Sequence, residues 1–268
     1  LRRAAPEAEI AADNLHFQNG AAAPPVRQAA SASIAAPIGT PVGIIDGAPG
    51  AGQAVADMRG FARGAPAASN HGSAVASLLT AAGASNVRVA DIYGTDPAGG
   101  NALALVRALD WLVGEGARVI SISLGGPNNT AVARAIAAAQ RKGVVVVAAV
   151  GNDGPAAPPA YPASYPGVLA VTGVDGRGRA LIEAGRALHL DYAAPGADIA
   201  ARDSKGKWLR VRGTSYAVPL VAARAAVAVG RGQDWRAALD REAEDLGARG
   251  ADAQYGRGLL CRTCARRP

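Results

Sequence analysis

An α/β fold, with a mostly parallel central sheet and helices on both faces, is predicted by two features of the 268-residue sequence. Short, nearly continuous apolar runs recur along the chain, as strands buried on both sides require. Segments with apolar residues at three- and four-residue steps alternate with several of them, the rhythm of parallel strands joined by crossover helices. Abundant Ala and Gly and scarce aromatics, 4% of residues, suit closely packed layers.

Residues 1–36 show no sustained period and are rich in Ala, Pro, Gln and Ser. "EAEIAADNL" has the composition of a short helix and "NGAAAPPVRQ" reads as linker. The segment is an N-terminal extension: a linker, the remnant of a pro-segment, or a docking arm, with the arm favoured. From residue 37 the predicted strands are "PVGIID" (41–46), "VRVADIY" (87–93), "ARVISISL" (117–124), "GVVVVAAV" (143–150) and "GVLAVTGV" (167–174). The predicted helices are "HGSAVASLLTAA" (71–82), "NALALVRALDWLVGEG" (101–116) and "TAVARAIAAAQRKG" (130–143), and Gly stops the last two. Shorter strands follow in "HLDYAAPG" and "KWLRVRG", then a long helix from Ser215 and another in "DWRAALDREAEDLG" (234–247). One domain over 37–264 and a tail at 265–268 account for the chain.

Composition excludes several functions. The net charge of +7 sits partly at the termini, on Arg2, Arg3, Arg262, Arg266 and Arg267. No basic and aromatic residues interleave, so nucleic acid is not the expected partner. No apolar run is long enough to span a membrane. Cys261 and Cys264 form a single C-x-x-C that lacks the second pair of a structural zinc site, leaving a local disulfide or two free thiols. No cofactor is expected, and the chain is read as a monomer.

Functional groups in such sheets collect beyond the carboxyl ends of the strands. Asp46 ends the first predicted strand, Gly125 and Gly126 follow the third, and Asn152 follows the fourth. Three histidines are present. His16 lies in the extension, and His189 alternates with Leu188 and Leu190 as a structural residue of a strand. His71 opens a helix that Ser69 or Asn70 can cap. Ser215, in "RGTSYAVP", stands between Gly213 and an apolar helix; the plainer reading makes Thr214 an N-cap and Ser215 a bystander. A serine hydroxyl becomes nucleophilic when a base takes its proton, and the base needs a carboxylate to fix its tautomer. Asp46, His71 and Ser215 supply those three groups. The glycines of "VGIIDGAPGAG" superficially suggest a dinucleotide loop, but their order is wrong for it and no apolar helix follows promptly.

The blocks "VGIIDG", "HGSAVAS", "SISLGG", "VVVVAAVGNDG", "YPASYPGVLAV", "DYAAPG", "GTSYAVP" and "YGRGLL" occur in the order of the subtilases. Over roughly residues 37–264 the sequence resembles that family of serine peptidases. The resemblance implies a three-layer α/β/α domain, with Asp46 as acid, His71 as general base and Ser215 as nucleophile. It implies Asn152 and the Ser215 N–H as oxyanion donors. An extended peptide or protein substrate would lie on Ser123, Leu124, Gly125 and Gly126. Ala149, Gly151, Asn152 and Ala160 would complete a pocket for a medium-sized apolar residue before the scissile bond, within a broad specificity. A pro-segment or inhibitor in the cleft, and a secreted or periplasmic home, follow from the same habit. Pro219 is expected to remove a hydrogen bond early in the serine helix.

Departures are visible: "DGAP" where Ser or Thr plus Gly commonly follow the acid, "HGSAV" without a second His, Leu220 where His is common, and a short interval from Asp46 to His71. They suggest a trimmed enzyme; the alternative is a catalytically inactive, subtilase-like peptide-binding protein. After His71 the chain passes from helix to strand through "AAGASN", which offers no carboxylate for the oxygen-rich shell that calcium requires. The usual high-affinity calcium site is therefore expected to be absent. Adding EDTA is expected to leave the thermal midpoint unchanged, as calorimetry with and without chelator would read.

Overall fold

The computed structural model describes residues 12–18, 21–25, 37–96 and 100–264, with the backbone alone at 21–25. The helix expected in "EAEIAADNL" falls largely outside these residues; its last position, Leu15, begins a strand. The tail at 265–268 also lies outside them.

In chain order, β1 (Leu15–Gln18) and β2 (Ala21–Pro25) precede β3 (Val42–Asp46) and β4 (Asp57–Gly60). Helix α1 (Asn70–Ala81) leads to β5 (Val87–Asp91), the short β6 (Gly100–Asn101) and α2 (Ala102–Gly114). β7 (Val119–Ile122), β8 (Leu124–Gly125) and α3 (Thr130–Arg141) follow, then β9 (Val145–Ala149) and β10 (Leu169–Val174). The last part holds β11 (Tyr192–Pro195), β12 (Ala197–Arg202), β13 (Trp208–Arg212), α4 (Val218–Gly230) and α5 (Trp235–Glu242).

Seven strands form a parallel sheet in the order β11-β10-β9-β7-β3-β5-β4. Side chains alternate between its faces. Ile44 joins a core with α1 and α4, while its neighbour Ile45 joins a second core with α2 and α3. Both faces are thus covered, which is why β3, β7, β9 and β10 read as nearly continuous apolar runs. β4 carries the polar, exposed sequence DMRG at the sheet edge and has no such signature. The helices begin on side-chain caps: Ser69 accepts from the Gly72 N–H, Asn101 from Ala104, and Asn129 from Ala131 and Val132.

Three expectations are corrected. The stretch NGAAAPPVRQ, read as linker, contains β2 at Ala21–Pro25, which pairs with β13. His189 is not in a strand, because β11 starts only at Tyr192; its Nε2 lies 2.8 Å from the Val168 carbonyl, a structural contact. Pro219 removes no helical hydrogen bond. A 3-10 turn (Thr214–Tyr216) comes first and α4 starts at Val218, so Pro219 occupies the first helical turn, where an N–H has no intrahelical partner. Cys261 and Cys264 are joined as a disulfide.

Two small antiparallel sheets complete the fold. In one, β1 lies between β6 and β8; in the other, β2 lies along β13, which also pairs with β12. Leu112 of α2 is fully buried in the core that also holds Ile45 and Ile120. Leu112→Ala is expected to cost ~2–5 kcal/mol, measured as a lowered urea midpoint with unchanged slope.

Candidate active site

Asp46 ends β3 at the carboxyl edge of the sheet and is fully buried. A buried carboxylate must be supplied with donors. Its Oδ1 accepts from the Gly47 N–H at 2.7 Å and from Gln18 Nε2 at 2.9 Å, and both oxygens lie within 3.0 Å of His71 Nδ1. Facing an acceptor-only group, Nδ1 carries the proton, so the neutral ring presents Nε2 as its basic nitrogen.

His71 reaches Asp46 because α1 starts almost on top of the loop after β3. A Cβ on Gly72 would collide with the Gly47 carbonyl oxygen, so glycine is what permits this approach. The ring of His71 stands 5.4 Å, centroid to centroid, from that of Tyr216, the residue after Ser215. Burial, and after it the charge of Asp46, raises the Tyr216 hydroxyl well above the usual tyrosine range, so it stays protonated. Tyr93 is raised in the same way by burial, Asp46 and Asp91, and its hydroxyl finds no hydrogen-bond partner among the described residues.

Ser215 sits in the 3-10 turn ahead of α4, reached through Gly213 at φ 143°, a conformation that favours glycine. Its Oγ donates to the Ser123 carbonyl at 3.0 Å, while Ser123 Oγ donates to the Ser215 carbonyl at 2.9 Å. This reciprocal pair ties the serine turn to the end of β7. Thr214 caps no helix through its side chain. Its N–H donates to Asn152 Oδ1 at 3.0 Å and its hydroxyl to the Gly151 carbonyl at 3.1 Å. With Oδ1 so engaged, Asn152 turns its Nδ2 inward, where it is buried without a partner among the described residues. A buried amide donor left open is costly unless an acceptor arrives.

The residues expected to line the peptide cleft also gather here. Leu124 and Gly125 form β8, Gly126 exchanges backbone hydrogen bonds with Tyr161 at 2.9 and 3.1 Å, and Ala160 stands against Gly151. Ala149 is the buried end of β9. Among the described residues, no three of His, Cys, Asp or Glu gather to hold a metal ion.

A profile of the subtilase family matches residues 58–258, which include His71, Asn152 and Ser215. The chain belongs to the subtilase family. A subtilisin from Bacillus pumilus is 32% identical over 162 residues, 58% of this chain and 59% of that protein. The chain spans 59% and 52% of the length of the first curated relatives it matches. Among solved structures, the prenylagaramide maturation protease PagA aligns with a TM-score of 0.69 at 26% identity, covering 82% of this chain and 90% of that one. A mutant of the protease domain of PatA aligns with a TM-score of 0.71 at 26% identity, covering 87% and 95%. As a subtilase, the chain has the three-layer α/β/α architecture of these neighbours.

The sequence did not disclose Gln18, Tyr93 or β6 as parts of this site. β1 reads L-H-F-Q, and the structure turns its polar residues inward: His16 is fully buried while Leu15 and Phe17 are 39% and 55% exposed. That is the reverse of a core strand, so apolar periodicity passes over it.

His16 packs on Gly126, where a Cβ would stand 2.5 Å from its ring, and its Nδ1 donates to the Asn14 carbonyl at 3.2 Å. Burial lowers its pKa below the ordinary 6.5, against the smaller raising effects of Asn14 and Asp13. β6 and β8 bring it only Gly, Asn and Leu. The docked strand therefore favours a neutral ring. Docking is fully stabilised above the free value and weakens as pH falls below it, because the released arm takes up a proton that the docked one resists. Protection of the Phe17 and Gly125 amides, taken relative to their intrinsic exchange rates, is expected to be lower at pH 5 than at pH 8, and His16→Gln is expected to remove most of that difference.

Proposed function

We propose that the chain is a serine endopeptidase that works through Asp46, His71 and Ser215. The observation that carries this reading is the buried Asp46–His71 hydrogen bond, set beside the turn that bears Ser215. In the reaction Ser215 Oγ gives up its hydrogen bond to the Ser123 carbonyl and donates to His71 Nε2 instead. His71 then accepts the hydroxyl proton as Oγ adds to the substrate carbonyl, and Asp46 stabilises the imidazolium. Asn152 Nδ2 and the Ser215 N–H donate to the developing oxyanion; the Nδ2 position is favoured because that donor is already oriented by Thr214 and unused. The leaving amine takes the proton from His71, and water releases the acyl group from Ser215 by the reverse sequence.

Substrates bind as extended peptide on Ser123–Gly126, main chain to main chain, which tolerates many sequences. The residue before the scissile bond enters a pocket between Ser123–Gly126 and Ala149–Asn152. Ala160, close against Gly151, keeps it shallow and selects medium-sized apolar side chains over Trp or Arg. The enzyme acts as a monomer without cofactor or high-affinity calcium, in a secreted or periplasmic setting like that of one relative, the minor extracellular protease Epr of Bacillus subtilis. No helix among the described residues is long and apolar enough to cross a membrane.

The engagement of Ser215 Oγ with Ser123 favours one other reading, an inactive peptide-binding subtilase. A fluorophosphonate probe separates them: the enzyme is labelled at Ser215, and Ser215→Ala is not. Ser215→Ala and His71→Ala are expected to reduce peptide turnover to residual levels, and Asn152→Ala to lower kcat by ~10²–10³. In a mixed peptide library read by mass spectrometry, cuts are expected after medium-sized apolar residues; preferred cutting after Arg would reject the pocket assignment.

A further inference from the structure

The two oxyanion donors of the proposed reaction come from segments that no regular element joins. Ser215 belongs to the turn after β13, whereas Asn152 lies in the irregular stretch between β9 and β10. Asn152 is therefore placed by what its neighbours touch. Residues 183–186, also irregular, lie against that stretch. The Gly185 N–H donates to the Gly151 carbonyl at 2.8 Å, the Gly154 N–H to the Glu183 carbonyl at 2.9 Å, and the Ala160 N–H to the Arg186 carbonyl at 2.8 Å. The approach is close: a Cβ on Gly185 would stand 2.4 Å from the Val150 carbonyl oxygen.

Glu183 links this segment to the strand that leads to the nucleophile. Its carboxylate accepts from two nitrogens of Arg212, Nε to Oε1 at 2.7 Å and Nη2 to Oε2 at 2.8 Å. Arg212 ends β13, three residues before Ser215. The contacts close into a ring. Side chains join Arg212 to Glu183, and backbone bonds join Glu183 and Gly185 to the residues on either side of Asn152. Asn152 and Gly151 are joined in turn to Thr214, two residues after Arg212. The Gly151 carbonyl accepts from Gly185 on one side and from the Thr214 hydroxyl on the other. A guanidinium fork on a carboxylate fixes an orientation as well as a distance, which a single hydrogen bond does not. The side chains of Arg212 and Glu183 are 47% and 28% exposed, so the pair adds little to global stability. Its consequence is local, because it bridges the two segments that carry the donors.

Resting on the peptidase reading above, we infer that Glu183 and Arg212 are a positioning pair for the oxyanion hole. By clamping residues 183–186 to β13, they set the separation of Asn152 Nδ2 and the Ser215 N–H. Both act through Asn152 rather than on the reacting atoms. Oxyanion donors are effective only at hydrogen-bond distance from the developing charge, and a misplacement of about 1 Å can cost ~10²-fold in rate. The pair thus bears on the transition state, while ground-state binding of the peptide backbone rests on β8.

Variants of the full chain test the inference. Glu183→Gln keeps the shape and loses the carboxylate; Arg212→Lys keeps the charge and loses the fork. Each is expected to lower kcat roughly tenfold, a part of the misplacement penalty, with KM and the thermal midpoint close to those of the parent. In the Asn152→Ala chain, Glu183→Gln is expected to change kcat by less than about twofold, because the donor it places is gone. Equal losses with and without Asn152, a loss carried by KM, or parent kcat in either single variant overturns the inference. Nuclear magnetic resonance of the Ser215→Ala chain gives a readout without turnover. Glu183→Gln is expected to shift the side-chain amide signal of Asn152 and to lower protection of the Gly154 and Gly185 amides; an unmoved Asn152 signal overturns the inference. If the parent takes no fluorophosphonate label and cuts no peptide while that signal shifts, the clamp on Asn152 stands and the peptidase reading falls.

Discussion

The structure around the site depends on satisfying one buried carboxylate. Asp46 is inaccessible to water, and an ionised group there persists only with hydrogen-bond donors around it. Three parts of the chain provide them: the next backbone N–H, the imidazole of α1, and the amide of Gln18 from the arm. Because α1 can come this close only where Gly72 lacks a side chain, the position of the helix and the tautomer of His71 are settled together. The same contact that meets the cost of burial leaves a basic nitrogen facing the serine turn.

The remaining groups are held by one another more than by their own elements. Ser215 and Ser123 exchange hydrogen bonds across 92 residues of sequence, and Thr214 fixes Asn152 across 62. These links join the ends of β7 and β9 to the turn ahead of α4, at the edge where a parallel sheet leaves its loops free for chemistry. The orientation of Asn152 illustrates the consequence. Its carbonyl end is consumed by structure, so its donor end is what remains for a ligand.

The arm adds a constraint of a different kind. β1 turns His16 and Gln18 inward and leaves Phe17 in solvent, an inverted pattern that makes sense only for a strand whose inner face meets a polar cleft. It buries little apolar area of its own. Its hold is a backbone ladder with β6 and β8, a hydrogen bond from the Leu103 N–H to Asp13 and the fit of one imidazole against Gly126.

Much was legible in the sequence. Two-sided burial writes itself as continuous apolar runs, so the parallel sheet and its helices were readable, and the ends of β3 and β9 pointed to Asp46 and Asn152. The blocks around His71 and Ser215 named the family. The tertiary structure alone decided the rest. β4 and β6 are short and polar, β1 has its apolar residues on the wrong side, and Pro219 falls in a first helical turn only because the 3-10 turn delays α4. Such features carry no period of their own; they exist because distant backbone and side-chain groups must find partners once the layers close, and partners far apart in sequence leave no local mark.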